Sequence, residues 1–396
     1  MNNSLFKVAP LAIAAAVALA ACGKKEEAPA AKAAPAKAAE PAVVVIKIGH
    51  VAPLTGGIAH LGKDNESGAR MAIEEINAAG GLKIGDTTYK FDLVPEDDKA
   101  DPKEGTIAAQ KIVDSGAVAV VGHLNSGTSI PASKIYADAN VAQISPSATN
   151  PKLTEQGFKT TFRVVANDNQ QGGVLANYAA DQLKAKTIAI IDDRTAYGQG
   201  LADVVEKVAK EKGMKVVARE FTNDKATDFN AILTKVRGSK PDVVMYGGMD
   251  ATAGPMAKQM KQLGIKSTLL AGDGVCSPEF IKLAGDAAGI LHCSMAGEAV
   301  EKMPKGADFL ANFKKRFNAD VQVYSPYSYD AVYVIADAIK RAGKTDRASI
   351  TAAMPATNYP GLTGQIAFDE KGDIKGGAIS MFKVVDGKMQ YVSTVR

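Results

Sequence analysis

From residue 43 onward the chain keeps switching between two hydrophobic periods, and that switching restricts its fold more than any other feature. Val43-Val44-Val45-Ile46-Lys47-Ile48-Gly49 is β-branched and nearly continuous, the pattern of a buried parallel strand. Ala69, Ala72, Ile73 and Ile76 then recur at i, i+3, i+4 and i+7, one face of a helix, and Gly80-Gly81 stops it. Residues 89–95 alternate as a strand. Asp101-Pro102-Lys103-Glu104 reads as a capping box with Pro at the first helical position, and residues 117–122 form another buried strand. After residue 165 the cadence resumes, with strands expected at 187–192, 214–221, 242–246 and 267–271. Strand-helix alternation over this length dictates parallel sheets joined by right-handed crossovers. One doubly wound sheet rarely holds so many strands. The expected fold is therefore α/β with two Rossmann-like lobes. Ligands of open α/β sheets sit beyond the carboxyl ends of the strands. The cleft between the lobes is then the site, and the loops after the strands carry its chemistry.

Residues 1–21 fall outside this pattern. Lys7 precedes an apolar run over residues 8–21, too short for a transmembrane helix and suited to a secretory signal. The run ends Leu19-Ala20-Ala21-Cys22, which looks like a bacterial lipobox and implies cleavage before Cys22 and lipidation of its thiol. Residues 23–41 are mostly Ala, Pro, Lys and Glu with no bulky apolar group, so residues 22–41 are expected to be a lipidated Cys and a solvated tether. The expected location is the periplasm, anchored to a bacterial membrane by lipid. Lys and Arg number 47 against 43 Asp and Glu, too small an excess for nucleic acid as the main partner. Three Cys and four His are too scattered for a zinc module, and no cofactor is expected.

Five strand-end loops stand out. His123-Leu124-Asn125-Ser126-Gly127-Thr128-Ser129 leads into a helix, whose free N–H groups favour an anion; ordinary capping by Ser or Thr explains the loop equally well. Ile144-Ser145-Pro146-Ser147-Ala148-Thr149-Asn150-Pro151 offers hydroxyls and free carbonyls, or is simply a polar turn. Gly272-Asp273-Gly274 presents an acid where Gly on both sides allows close backbone approach, although Asp-Gly is also a common turn. Tyr197 and Met249 each bring a larger side chain that closes over a ligand. Hydroxyls and amides for a carboxylate, one acid for an ammonium and apolar cover suit an α-amino acid. They suit a nucleotide poorly, since neither phosphate-binding glycine motif is present.

Catalysis lacks its parts. Ser126 has no Gly-x-Ser-x-Gly elbow. His123 is expected to pack or to bond backbone, His50 and His60 flank the first cleft loop without paired acids or Cys, and His292 falls in a strand pattern. The chain is expected to be a binder, not an enzyme, with no catalytic or metal-binding residue.

The loops and their order resemble a known family, the periplasmic leucine/isoleucine/valine-binding proteins that feed branched-chain amino-acid ABC transporters. The resemblance runs from about residue 46 to the C-terminus. It is carried by GGIAHLGKDNESGARMAIEEIN (56–77), GHLNSGTSIPAS (122–133), ISPSATNPKLT (144–154), AIIDDRTAYGQG (189–200), Tyr246-Gly247-Gly248 and AGDAA (284–288). It implies the class I binding-protein fold, two lobes joined by three hinge strands. Lobe one would be 42–165 plus 300–375, and lobe two 166–299 plus 376–396, completed by strands such as 379–385. It implies a monomer that captures an amino acid by cleft closure and delivers it to an inner-membrane permease with its ATPases. A binding protein for another small carboxylate or amide, or a sensory receptor subunit, has the same fold.

By the same resemblance Ser126 holds the ligand carboxylate, the Ser147 carbonyl takes the ammonium, and Thr149 contacts both ends, with Ala148 between them. Tyr197 lines the second lobe's side, and Asp273 stands where the family commonly has a glutamate facing the ammonium. Leu61 stands where leucine-binding members carry a tryptophan, and Met249 where they carry a tyrosine. Tyr324, Tyr327 and Tyr329 fall near a family aromatic position, in undetermined register, or pack a helix. The family's lobe-one disulfide positions align with Ala100 and Asn125. Cys276 and Cys293 instead form either a lobe-two disulfide, which an oxidising compartment permits, or two buried thiols.

Overall fold

The computed structural model describes residues 43–396. The expected signal sequence at 1–21, the lipidated Cys22 and the tether to residue 41 lie outside the described residues. No helix among the described residues is long and apolar enough to cross a membrane.

The first sheet comprises β1 (Val43–Ala52), β2 (Leu82–Ile84), β3 (Thr87–Asp97), β4 (Ala119–Gly122), β5 (Ala142–Ser145) and β6 (Thr161–Arg163). The spatial order is β2-β3-β1-β4-β5-β6, parallel throughout except for the β2–β3 hairpin. Side chains alternate along β1 with period two. Ile46 and Ile48 enter a core with helices Ala59–Ala78 and Ser325–Ala342, whereas Val51 joins Ile112, Val120 and Tyr136 under helices Pro102–Asp114 and Ser126–Asp138. The uniform burial expected for residues 43–49 fails at its start, where Val43, Val44 and Val45 are exposed. There β1 has only β3 beside it, since pairing with β4 begins at Ile48.

The second sheet contains β7 (Thr187–Asp192), β8 (Lys215–Phe221), β9 (Val243–Gly247), β10 (Thr268–Ala271) and β11 (Leu291–Met295). A small hairpin of β12 (Asn358–Gly361) and β13 (Gly364–Ala367) follows, and then β14 (Ile379–Val385) and β15 (Lys388–Val395). The order is β15-β14-β11-β10-β9-β7-β8, with the last two strands of the chain antiparallel to their neighbours. The expected strand at 379–385 coincides with β14 and completes this sheet.

In each sheet the chain steps from its first strand to one side and then returns to the other: β1 to β3, then β4, and β7 to β8, then β9. The loops after β1 and β4, and after β7 and β9, therefore diverge and leave a crevice at the strand ends. The chain passes between the sheets three times: after β6, after β11 and before β14. These are the two hinged Rossmann-like lobes expected from the alternation.

Two local features fix the loop after β10. Cys276 and Cys293 are joined by a disulfide, with Cα atoms 5.5 Å apart. A bridge closing a loop of this size contributes about 3 kcal/mol. Close approach accounts for the glycines beside Asp273: a Cβ on Gly272 would lie 2.4 Å from the Tyr197 hydroxyl, and one on Gly274 would lie 2.6 Å from Met249 Sδ.

Candidate functional site

Ser126 opens the helix Ser126–Asp138 just after β4, and its Oγ accepts the N–H of Asn150 (3.1 Å). This bond ties the loop after β4 to the loop after β5. In the second loop the Ser145 hydroxyl accepts the N–H of Ala148 (2.9 Å), and Asn65 Nδ2 donates to Ser147 Oγ (3.2 Å). Ser126, Ser147, Ala148 and Thr149 are all buried. Thr149 Oγ1 has no hydrogen-bond partner among the described residues. A buried hydroxyl without a partner costs free energy, so this group marks a place where a ligand can offer one.

The Thr149 carbonyl accepts the N–H of Asp168 (2.8 Å), the first residue of the helix Asp168–Asp181. This contact brings the first lobe's loops to a cluster of acids. Asp168 Oδ1 accepts from Gln171 Nε2 (3.1 Å), while its Oδ2 is buried and unpartnered among the described residues. Gln171 Nε2 also donates to Asp273 Oδ1 (2.9 Å), so one amide bridges two carboxylates. Asp273 Oδ1 accepts from the Tyr197 hydroxyl (2.9 Å), and Asp273 Oδ2 from the Tyr324 hydroxyl (2.7 Å). Burial, and then the charge of Asp273, push the Asp168 carboxyl up to about 7. The Thr149 hydroxyl pulls it the other way, close to that carboxyl without completing a hydrogen bond. Burial raises Asp273 as well, against its donors Tyr324, Gln171 and Tyr197. Two buried carboxyl groups thus share one amide beside the first lobe's loops, and burial disfavours negative charge on both.

Apolar cover surrounds it. Leu61, Leu124, Tyr197, Met249 and Tyr324 share one buried cluster that draws on both lobes. Further contacts join the lobes across the cleft. Besides Tyr324 and Asp273, Asn150 Nδ2 donates to the Ala196 carbonyl (2.6 Å), and His60 Nε2 lies 2.7 Å from Asp250 Oδ2. Burial lowers the His60 ring, but its bond to Asp250 and that carboxylate's charge outweigh it, and the net shift is upward.

A family model for the periplasmic binding protein matches residues 45–388. The chain belongs to the periplasmic binding protein family. Among curated relatives, it is 38% identical over 352 residues to Leu/Ile/Val-binding protein homolog 1 of Brucella abortus, covering 88% of this chain and 93% of that one. It is 36% identical over 338 residues to a leucine-, isoleucine-, valine-, threonine- and alanine-binding protein of Pseudomonas aeruginosa, covering 85% and 89%. Among solved structures it resembles a leucine binding protein of Thermotoga maritima, with a TM-score of 0.82, 29% identity and coverage of 88% and 98%. A branched-chain amino acid transporter substrate binding protein of Streptococcus pneumoniae, solved with isoleucine, gives 0.81, 29%, 89% and 99%. The fold is that of the class I periplasmic binding proteins.

In this periplasmic binding protein the residues expected to form the site come together, with corrections. Asp273 is not a lone acid, since Asp168 stands beside it. Nothing in Asn167-Asp168-Asn169 marks Asp168, because an acid at a helix start is ordinary dipole chemistry. Tyr324 reaches Asp273, whereas Tyr327 donates to the Glu298 carbonyl and Tyr329 to Glu75, away from the cleft cluster. Tyr324 is aimed by Asp64, whose carboxylate accepts the N–H groups of residues 322–325. His123 does not bond backbone through its ring. Its nitrogens lie 3.0 Å from Asp98 Oδ2 and 2.9 Å from the Tyr136 hydroxyl. His50 is fully buried with both ring nitrogens unpartnered among the described residues, and burial lowers it to about 4. His292, in β11, lies 2.8 Å from the Tyr178 hydroxyl.

Proposed function

We propose that this chain captures an aliphatic amino acid, branched-chain amino acids foremost, by closing its lobes over it. The observation that carries this reading is the seam at Thr149 and Asp168. There a hydroxyl and a carboxylate oxygen, both buried and unpartnered, meet beside a second acid and the N-terminus of the helix Ser126–Asp138. The ligand carboxylate takes Ser126 and Thr149 together with free N–H groups at that helix start. The ammonium takes the Ser147 carbonyl, Thr149 and the Asp168–Asp273 pair. Leu61, Ala148, Tyr197 and Met249 cover the side chain. Homology to Leu/Ile/Val-binding proteins supports this ligand class.

Lobe one, 42–165 plus 300–375, binds the zwitterion first. Lobe two, 166–299 plus 376–396, then swings in. Only the closed state offers both sets of contacts, so the ligand shifts the population toward closure. Micromolar affinity requires about 8 kcal/mol, much of which desolvated, charge-assisted hydrogen bonds supply. The closed monomer, anchored through lipidated Cys22 in the periplasm, hands its cargo to an ABC permease and its ATPases. Its role is delivery, not catalysis.

A thermal-shift screen against the twenty amino acids and simple organic acids tests this. Stabilisation by aliphatic amino acids, lost in Asp273→Ala with the fold retained, is the expected result. Hits among plain acids alone would refute the ammonium site and leave a carboxylate carrier.

A further inference from the structure

Residues 146–151, which carry Ser147, Ala148 and Thr149, have no helix or strand to fix them. They are fixed from behind, by a residue that is itself fully buried. Arg163, the last residue of β6, is 0% exposed. Its Nη1 donates to the carbonyls of Ala148 (2.9 Å) and Asn150 (3.0 Å), the two residues that bracket Thr149. The Ala148 and Asn150 carbonyls go to the guanidinium, whereas the Thr149 carbonyl between them receives the N–H of Asp168.

The same guanidinium reaches the crossovers between the lobes. Arg163 Nη2 donates to Thr154 Oγ1 (2.8 Å), and Nε to Asp373 Oδ1 (2.6 Å). Asp373 Oδ2 accepts from Asn167 Nδ2 (3.0 Å). Asn167 in turn caps the helix Asp168–Asp181, its Oδ1 accepting the N–H groups of Asn169 (3.1 Å) and Gln170 (3.4 Å). Asn167 lies in the passage after β6, and Asp373 in the passage before β14. One cluster around the buried Arg163 therefore holds Thr149 from one side and Asp168 from the other.

We propose that Arg163 is a positioning residue for ligand capture, which through Asp373 and Asn167 keeps Thr149 and Asp168 in mutual register across two of the lobe crossovers. The inference rests on the capture role given to Thr149 and Asp168 above. Arginine is required because its planar fork carries five donors, whereas a lysine ammonium is a point charge on a flexible stem. Arg163→Lys keeps the charge for Asp373 but cannot also hold both carbonyls.

The test has two readouts. Hydrogen exchange of the ligand-free protein is followed in peptides covering 146–154 and 166–172. Affinity is measured by calorimetry for leucine at 20 °C, below unfolding. Arg163→Lys should speed exchange in both peptides by about tenfold and weaken leucine binding by about tenfold. Asn167→Ala leaves the Arg163–Asp373 ion pair in place, so it covers the case in which Arg163→Lys fails to fold. It should speed exchange at 166–172 and weaken leucine binding several-fold. Unchanged exchange, or faster exchange with wild-type affinity, overturns the proposal. A wild-type protein that binds no amino acid refutes the functional reading instead, while exchange still decides whether Arg163 couples the two segments.

Discussion

Replacing Tyr324 by Phe isolates one cross-cleft bond. The Tyr324 hydroxyl donates to Asp273 Oδ2 at 2.7 Å, whereas the other donors to this carboxylate, Tyr197 and Gln171, both use Oδ1. Tyr324 and Asp273 are both buried. Tyr324→Phe keeps the ring in the apolar cluster and leaves Oδ2 dry and without its donor. Hydrogen bonds to charged groups contribute about 1.5–3 kcal/mol. Tyr324 immediately precedes the helix Ser325–Ala342 packed on the first sheet, and Asp273 follows β10 of the second, so the loss falls on the closed state alone. An open cleft hydrates both groups. Amino-acid affinity should therefore fall about ten- to a hundredfold, while the melting temperature of the ligand-free protein barely moves. Isothermal calorimetry on the wild type and Tyr324→Phe measures the first quantity and circular dichroism the second. A dissociation constant within twofold of wild type would show that this bond does not stabilise closure.

Two further predictions concern protonation. His50 sits near 4 in the fold against 6.5 when unfolded, so the unfolded chain takes up the proton first as pH drops. Stability contributed by the neutral ring is full above pH 6.5 and declines by about 3 kcal/mol toward pH 4. Urea unfolding of His50→Gln should lack this part of the acid slope, and parallel slopes in both proteins would contradict it. Asp168 behaves oppositely: its carboxyl is raised from 3.8 to about 7, so the cost of burying its charge is absent below pH 3.8 and full above 7. Asp168→Asn should stabilise the ligand-free protein by a few kcal/mol at pH 8, not at pH 3.5, and should weaken amino-acid binding. Tighter binding by that variant would remove Asp168 from the ammonium site.

Local chemistry made much of this protein legible before any coordinates. The capping box at Asp101 forms in half: its carboxylate accepts the N–H groups of Lys103 and Glu104, while its own N–H bonds the Asp98 carbonyl and not Glu104. The strands expected from residue 187 onward fall within a residue or so of their observed ends. The placement of Ser126, Thr149, Tyr197 and Asp273 just after strand ends was also readable, because the alternation of strand and helix fixes where strands stop. Asp168, Gln171, Tyr324 and Arg163 were not. Each looks ordinary among its sequence neighbours and acquires its role from a distant partner: Tyr324 lies 51 residues from Asp273, and Arg163 lies 210 from Asp373.

The sequence by itself determined the alternation of strand and helix, hence two largely parallel sheets and the ends at which their loops gather. Hydrophobic period and turn chemistry act between near neighbours, and near neighbours can be read along a line. Only the tertiary structure decided that Asp168 stands beside Asp273, and that a buried guanidinium links residues 148–150 to the crossovers. Burial and charge pairing depend on which remote segments exclude water together, and no local pattern encodes that.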